Sequence, residues 1–476
     1  MIMHETVATV LARAESDRDG ALERLFALMR IPSVGTQPEH APDCRRAAAW
    51  LARELSDLGF DATVRPTAGH PVVVAKHPGP AGAPHLLYYA HYDVQPADPR
   101  EGWLTPPFEP ALVDGPRGLR IVGRGAVDDK GQIMTLIEAL RAWLASGEPL
   151  PARVTLLLEG EEEFGSPNLG AFLTAQREEL AADVCVIVDM SMWDEHTPAI
   201  TTRMRGMCYV EMTVRGPERE LHSGRYGGCA VNPLNVLNQI LGALHDDRGR
   251  VCIPGFYDRV RPAPDAERRS WASLGFDEAR YLRSVGLTTP HGEKGFDGLE
   301  RLWARPSADV NGIIGGYVGA GAKTAIPAQA TAKLSFRLVP DQDPYEVFAA
   351  FERFVRDRLP PDVQLSLTPF TMAPAFSVPV DTPWMEAARA ALAAEMGRDT
   401  VLVGAGGTIP AVTMLQRSLG MDCLLVGFGL NDDRNHGPNE KFELACFRHG
   451  IRGHIRLLNA LAGCGAMGGV NAHPSG

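Results

Sequence analysis

Five separate stretches of the chain carry residues whose types could bind and use metal ions. An apolar run, Leu86-Leu87-Tyr88-Tyr89-Ala90, ends in His91-Tyr92-Asp93. Side chains alternate faces along a strand, so His91 and Asp93 point the same way, roughly 6 to 7 Å apart. That suits an imidazole that ligates through one nitrogen while a carboxylate holds the other N–H and fixes its tautomer and ring angle. Further along stand Asp128-Asp129, Glu161-Glu162-Glu163, Asp189 and His436. Oxygen and imidazole donors from His91, Asp128, Glu163, Asp189 and His436 suit two divalent cations bridged by a carboxylate. Three carboxylates would leave such a pair with one unit of positive charge. That is enough to turn a bridging water into hydroxide near neutral pH, with a neighbouring acid of the glutamate run to take the proton.

Plainer readings compete at each stretch. His91 and Asp93 also fit a strand end before the turn at Pro96, and three consecutive glutamates fit a solvated turn. Asp128-Asp129 fits an N-cap pair before Lys130, and Asp189 a cap after an apolar strand. The metal reading stands only if distant parts of the chain converge.

The elements between these stretches predict that they do. Helical spacing covers 5–30 (ended by Pro32), 42–58, 132–145 and 172–180, and strands are expected at 62–65, 72–76, 86–90, 153–158 and 184–188. Strands alternating with helices predict a mainly parallel α/β sheet with helices on both faces, and ligands gather at the carboxyl ends of such strands. From 207 the pattern changes to βαββαβ: a strand at 207–214, a helix at 232–244, strands at 310–316 and 331–338, a helix at 345–358 and a strand at 363–369. A Pro- and Arg-rich insertion, 253–306, shows little periodicity. The first pattern then resumes with helices at 384–396, 411–419 and 442–461 and strands at 401–403 and 424–427. The expected organisation is therefore an α/β catalytic domain in two parts, 1–206 and 379–465, an inserted α+β domain at 207–378, and a disordered tail at 466–476.

Composition limits the functional classes. At 476 residues the chain is too long for one core, and 45% hydrophobic with 22% charged content is ordinary for a globular protein. A net charge of −11 argues against nucleic acid or an anionic membrane as partner. No apolar run of membrane-spanning length appears, and the segment from Met1 to Arg13 has no signal-peptide core, which predicts a cytoplasmic protein. Eight scattered cysteines without a CxxC pair predict reduced thiols, leaving His, Asp and Glu to hold any metal. The run from Val401 to Gly406 opens like a dinucleotide-binding loop, but Ile409 and Pro410 stand where its third glycine belongs, which argues against a nucleotide cofactor. Trp193, Trp271 and Trp303 read as packing or lid residues.

Five motifs in order resemble one known family: His91-Tyr92-Asp93-Val94-Gln95-Pro96, Gly123-Arg124-Gly125 with Asp128-Asp129-Lys130-Gly131, Glu159-Gly160 with Glu162-Glu163, Leu221-His222-Ser223-Gly224, and His436-Gly437-Pro438-Asn439-Glu440. They are similar to those of the co-catalytic zinc peptidases, which include carnosinases, other dipeptidases, aminoacylases and succinyl-diaminopimelate desuccinylase. The resemblance runs from about residue 5 to residue 462 and is nearest the carnosinase-like branch. It implies two divalent ions, Zn2+ first with Mn2+ or Co2+ as alternatives: Asp128 bridging, His91 and Asp189 on one ion, Glu163 and His436 on the other. It also implies Glu162 as general base, Asp93 behind His91, and a cis peptide between Asp128 and Asp129. The inserted domain becomes a lid and homodimerisation domain, from which His222 reaches the neighbouring subunit's site to steady the oxyanion. Lys323-Thr324-Ala325-Ile326-Pro327 and Ser335-Phe336-Arg337-Leu338-Val339-Pro340 match segments in which Thr324 and Arg337 hold the substrate's terminal carboxylate. Thr408, in Gly406-Gly407-Thr408-Ile409-Pro410, stands where relatives often have Ser. The implied activity is hydrolysis of dipeptides or short peptides by a metal-bridging hydroxide. Hydrolysis of N-acyl or N-carbamoyl amino acids at the same metals is the alternative, and a non-catalytic binding protein on the same fold is a third.

Overall fold

Four apolar runs become neighbouring parallel strands, in the order Arg153–Glu159, His85–His91, Val184–Ile187 and Asp422–Val426 across the sheet. The structure is a computed structural model that describes residues 2–407 and 409–464. These strands are buried along nearly their whole length, as in parallel sheets covered on both faces. Antiparallel strands extend the sheet on both sides, Val72–His77 and then Asp61–Arg65 beyond Arg153–Glu159, and Ala199–Met204 beyond Asp422–Val426. The mainly parallel expectation thus describes the centre of the sheet and not its edges.

The helix Lys130–Ala145 carries Ile133, Met134, Leu136, Ile137, Leu140 and Trp143 on several faces and is buried almost throughout. A helix apolar all round needs cover on several sides. Leu444–Cys464 and Ile2–Ser16 pack against it, and Pro383–Met396 packs on Leu444–Cys464. The helix expected over 5–30 is in fact two, Ile2–Ser16 and Arg18–Met29, with the break at Asp17. A small sheet absent from the sequence expectation joins Ala111–Gly115, Gly118–Val122 and Lys441–Glu443. Its strands are three to five residues long and those of the hairpin are mostly half-exposed or exposed, so they leave little apolar signal.

The chain divides into two compact units, and the sheet above belongs mainly to the first. The second comprises Arg203–Ser377 together with the short run starting at Gly404. It contains the βαββαβ order, as an antiparallel sheet ordered Ser307–Gly315, Gln329–Leu338, Gly206–Arg215, Gln364–Ala373. Helices Pro233–Gly242 and Pro344–Arg356, capped by Asn232 and Asp343, bury Leu237, Ile240, Phe351 and Phe354 against Val210, Met212 and Phe336. The insertion at 253–306 is not irregular. It holds the short helices Asp265–Ser273, Glu278–Arg283 and Gly298–Trp303, organised by arginine contacts rather than by an apolar stripe. Trp271 and Trp303 meet edge to face at 5.4 Å, with Arg203 over Trp271 and ion-paired to Glu267. Arg305 lies over Phe296 at 4.1 Å and forks onto Glu293 at 2.7 and 2.8 Å.

Thr408 and the tail expected at 466–476 lie outside the described residues. Among the described residues no helix is long and apolar enough to cross a membrane.

His454 is fully buried between Tyr88 and Phe428, and neither ring nitrogen has a hydrogen-bond partner. Burial pushes its pKa down from 6.5 to about 3. The unfolded chain therefore takes the proton first as pH falls below about 6.5, and this site removes stability by up to about 1.4 kcal/mol per pH unit down to about pH 3. In His454→Leu the melting temperature is expected to fall less than in the parent chain between about pH 7 and about pH 5. Parallel acid-side melting curves would clear His454 of this role.

Candidate metal centre

Parallel strands present their carboxyl ends on one side, and the acids follow those ends. His91 is the last residue of its strand, opposite Glu159 in the next, and is wholly buried. The Asp93 carboxylate, equally buried, lies 3.3 Å from His91 Nδ1 and accepts the N–H groups of Glu162 at 3.2 Å and Glu163 at 3.1 Å. Asp93 thus stands against an imidazole, whose Nδ1 also meets its backbone carbonyl at 3.1 Å, and its carboxylate holds the turn carrying the next two carboxylates. That turn separates three identical residues. The Glu161 carboxylate is occupied by the His70 N–H and the Asn168 amide, while Glu162 and Glu163 begin a short 3-10 turn, Glu162–Phe164. The solvated-turn reading fails, since all three are buried or largely so.

The cap reading of Asp128-Asp129 fails too. Asp129 occupies the N-cap of Lys130–Ala145 but makes no side-chain cap; its Oδ2 accepts the His91 N–H at 3.1 Å. The peptide between Asp128 and Asp129 is cis. Gly131 is required here, because a Cβ on it would come within 1.8 Å of the Ala126 carbonyl oxygen. Lys441 pairs with Val122, which sets the 430–440 loop beside the 123–129 loop and accounts for the meeting of Asp128 with His436.

Two groups result: His91, Asp129 and Asp189, and Asp128, Glu163 and His436, each with its ligand atoms within 4.8 Å of one another. Asp128 faces both, with Oδ1 3.3 Å from His91 Nε2 and Oδ2 3.1 Å from His436 Nε2. Glu163 Oε2 lies 3.3 Å from His436 Nε2, and Asp189 Oδ2 and Glu162 Oε2 lie 3.8 and 4.0 Å from His91 Nε2. All five expected ligands therefore gather in one place. Two polar residues come with them that sequence reasoning passed over. Asp129 joins the first group, and Gln95 donates to Glu163 Oε2 at 2.8 Å. Gln95 stands two residues after Asp93 on the same motif, so its position was legible and its role was not.

The donor set fits a pair of divalent cations. His91 Nε2 and Asp129 Oδ1 are buried yet make no hydrogen bond of acceptable geometry. Burial and the neighbouring carboxylates push the Asp129 and Asp189 carboxyls far above the usual range, and raise Glu162 to about 8 against the opposing pull of His91. Hydrogen bonds to Asp128 and Glu163 raise His436 to about 10. Asp128 is the exception: although burial opposes it, the two imidazoles hold its carboxyl well below the usual range. Positive charge placed among these groups would relieve the crowding that protons otherwise relieve.

The remaining expected residues belong to the second unit. His222 is exposed, and its Nδ1 accepts the Gly224 N–H at 3.0 Å. The Ser223 N–H bonds the Thr324 carbonyl at 3.0 Å, so His222 and Thr324 share one two-stranded ribbon, Leu221–His222 with Ala325–Ile326. Arg337 is half-buried on the inner strand Gln329–Leu338 of that unit's antiparallel sheet, opposite Met207 and Ser307.

An α/β unit with two His–acid groups joined through one aspartate at its strand ends defines a metal-dependent hydrolase. Residues 87–460 match the model of Peptidase family M20/M25/M40. The Cys-Gly metallodipeptidase dug1 of Schizosaccharomyces pombe is 30% identical over 468 residues, covering 94% of this chain and 97% of that protein. Human carnosine dipeptidase 1 superposes with a TM-score of 0.82 at 28% identity, over 96% of this chain and 99% of that one. The M20 family metallo-carboxypeptidase Sso-CP2 from Sulfolobus solfataricus does so with a TM-score of 0.82 at 30% identity, over 93% and 99%. The chain belongs to this peptidase family and is a metallopeptidase.

Because Asp93 orients His91 and anchors the Glu162–Glu163 turn, Asp93→Ala is expected to weaken divalent-cation binding about 10- to 100-fold. Competition against a chelator measures this, and an unchanged affinity would dismiss Asp93 as the orienting group.

Proposed function

We propose that the chain is a dipeptidase that binds two divalent cations, Zn2+ in the first place and Mn2+ or Co2+ through the same nitrogen and oxygen donors. One observation carries the proposal: the two carboxylate oxygens of Asp128 face His91 Nε2 at 3.3 Å and His436 Nε2 at 3.1 Å. His91, Asp129 and Asp189 would hold one ion and Glu163 and His436 the other, with Asp128 between. When bound, the cations polarise the scissile carbonyl and acidify a water near neutral pH. The chain's own groups do the rest. Asp93 keeps the His91 ring aimed, and Glu162, whose carboxylate lies beside His91, takes the attacking water's proton and delivers it to the leaving amine. Arg337 and Thr324 hold the terminal carboxylate, Arg337 through its planar fork, and His222 steadies the developing oxyanion. Thr408 is proposed as a further carboxylate contact.

The dipeptide reading draws support from the relatives named for Cys-Gly and carnosine. We propose a homodimer through the second unit. One of the two edge strands of its sheet, Ser307–Gly315, pairs on one side only among the described residues and exposes Val310, Ile313 and Ile314. A cytoplasmic location is in keeping with eight free thiols.

Glu162→Gln is expected to keep its metal content and lose about 10²- to 10⁴-fold in kcat; near-normal turnover would exclude Glu162 as the base. With one metal-loaded preparation, free dipeptides should be cleaved and their C-terminal amides cleaved roughly 10- to 100-fold less efficiently in kcat/KM, the weight of a charge-assisted pair. Preference for N-acyl amino acids over dipeptides would instead select the deacylase reading. Mixing His222→Ala with Glu162→Gln subunits is expected to restore part of the activity if His222 serves the partner's site, and no rescue under subunit exchange would return it to its own.

A further inference from the structure

The 430–440 loop, which carries His436, holds an unusual backbone path. Arg434, His436 and Asn439 all lie in the left-handed region, at φ of 60°, 63° and 61°. Residues with a Cβ adopt that region reluctantly, so a loop with three of them keeps its shape only where its surroundings impose it. The His436 side chain is itself 57% exposed, so packing around the ring does little of this.

A buried ion pair braces it, beside the Asn439 side chain, which accepts the Leu104 N–H and donates to the Gly102 carbonyl at 3.0 Å. Glu440 is fully buried and its carboxylate accepts four donors: Arg124 Nη1 at 2.8 Å, and the N–H groups of Gly125 at 3.0 Å, Val127 at 2.9 Å and Asp128 at 3.0 Å. Arg124, also buried, uses Nη2 to reach the His436 carbonyl at 3.0 Å and the Pro96 carbonyl at 3.1 Å. Its guanidinium lies 5.4 Å from the Trp103 ring. The Gly123 N–H closes the arrangement on the Glu440 carbonyl at 3.1 Å. The backbone of Asp128 is therefore held by Glu440, and the backbone of His436 by Arg124. The first group leans on other supports, Asp93 for His91 and the His91 N–H for Asp129.

We infer that Arg124 and Glu440 are positioning residues for Asp128 and His436, and that disturbing them weakens the Asp128–Glu163–His436 group's hold on its ion more than that of the His91–Asp129–Asp189 group, which shares only Asp128 with it. The inference rests on the proposed reading of these residues as metal ligands. Glu440→Gln removes the charge that meets Arg124 and turns an amide N–H2 toward backbone donors. Arg124→Lys keeps the charge but cannot span Glu440, His436 and Pro96 at once. Because Glu440→Gln disturbs a buried ion pair, Arg124→Lys provides the folded comparison, and Glu440→Asp tests rescue by a shorter acid of the same charge.

The experiment is Zn2+ stoichiometry and affinity on the full chain, by calorimetric titration of metal-free protein and elemental analysis after dialysis, with circular dichroism to show folding. The parent chain is expected to bind two ions. Arg124→Lys and Glu440→Gln should bind one ion at least about tenfold more weakly and the other with a clearly smaller loss, with Glu440→Asp in between. Two ions at parental affinity in a folded Arg124→Lys would overturn the inference, as would equal weakening of both. If the parent chain takes up fewer than two ions, the ligand reading itself fails.

Discussion

The whole centre answers to one constraint: acidic groups are crowded together out of water. Asp128, Asp129, Glu162, Glu163 and Asp189 stand among two imidazoles, and burial alone disfavours every one of their charges. A fold can keep such a group together only by giving each acid a fixed role before any ligand arrives. Backbone N–H groups do much of this. Those of Glu162 and Glu163 point at Asp93, and that of His91 at Asp129. Amide dipoles held by strands and tight turns cannot swing away, which suits a site whose groups repel one another.

That supply of amides depends on topology. The His85–His91 and Arg153–Glu159 strands run parallel with His91 opposite Glu159, so the loops that follow them leave at the same level. Lys130–Ala145 begins at the same end, and its first turn approaches the loop before it closely enough that only glycine fits at 131. Lys130 itself, buried, turns its ammonium to the carbonyls of Leu28 and Ile31, which fixes the start of that helix to the second helix of the chain. Burial pushes that ammonium down to about 7, a measure of how far the region is removed from water.

Sequence reasoning recovered the parts that long apolar runs announce and failed where the stabilising interactions are polar or local. The central strands were visible because strands buried on both faces must be apolar throughout, as Leu86 to Ala90 is. The hairpin Ala111–Gly115 with Gly118–Val122 was not, because its residues are mostly half-exposed and its third strand has three residues. The 253–306 insertion hid its helices because cation–π contacts and ion pairs have no period. Within the centre, residue type located the stretches but could not sort neighbours of the same type. Nothing in Glu161-Glu162-Glu163 says that the first is bonded to Asn168 and the other two hang from Asp93; the turn decides it. In the sequence alone the cap stays a competing reading of Asp129 for the same reason, since an aspartate before a helix is usually one.

Asp93 has a consequence for how such a centre can vary. Its carboxylate touches the His91 ring and the amides of both Glu162 and Glu163, so one side chain sets a first-group ligand, a second-group ligand and the proposed base together. Displacing it would move all three, and changes at these positions cannot add independently because they share that partner. Human carnosine dipeptidase 1 and the metallo-carboxypeptidase Sso-CP2, named for different activities, keep this fold at TM-scores of 0.82. A centre so coupled leaves little freedom for substrate preference to be adjusted within it. The freedom lies with side chains outside this network, which can change without disturbing the geometry that Asp93 ties together.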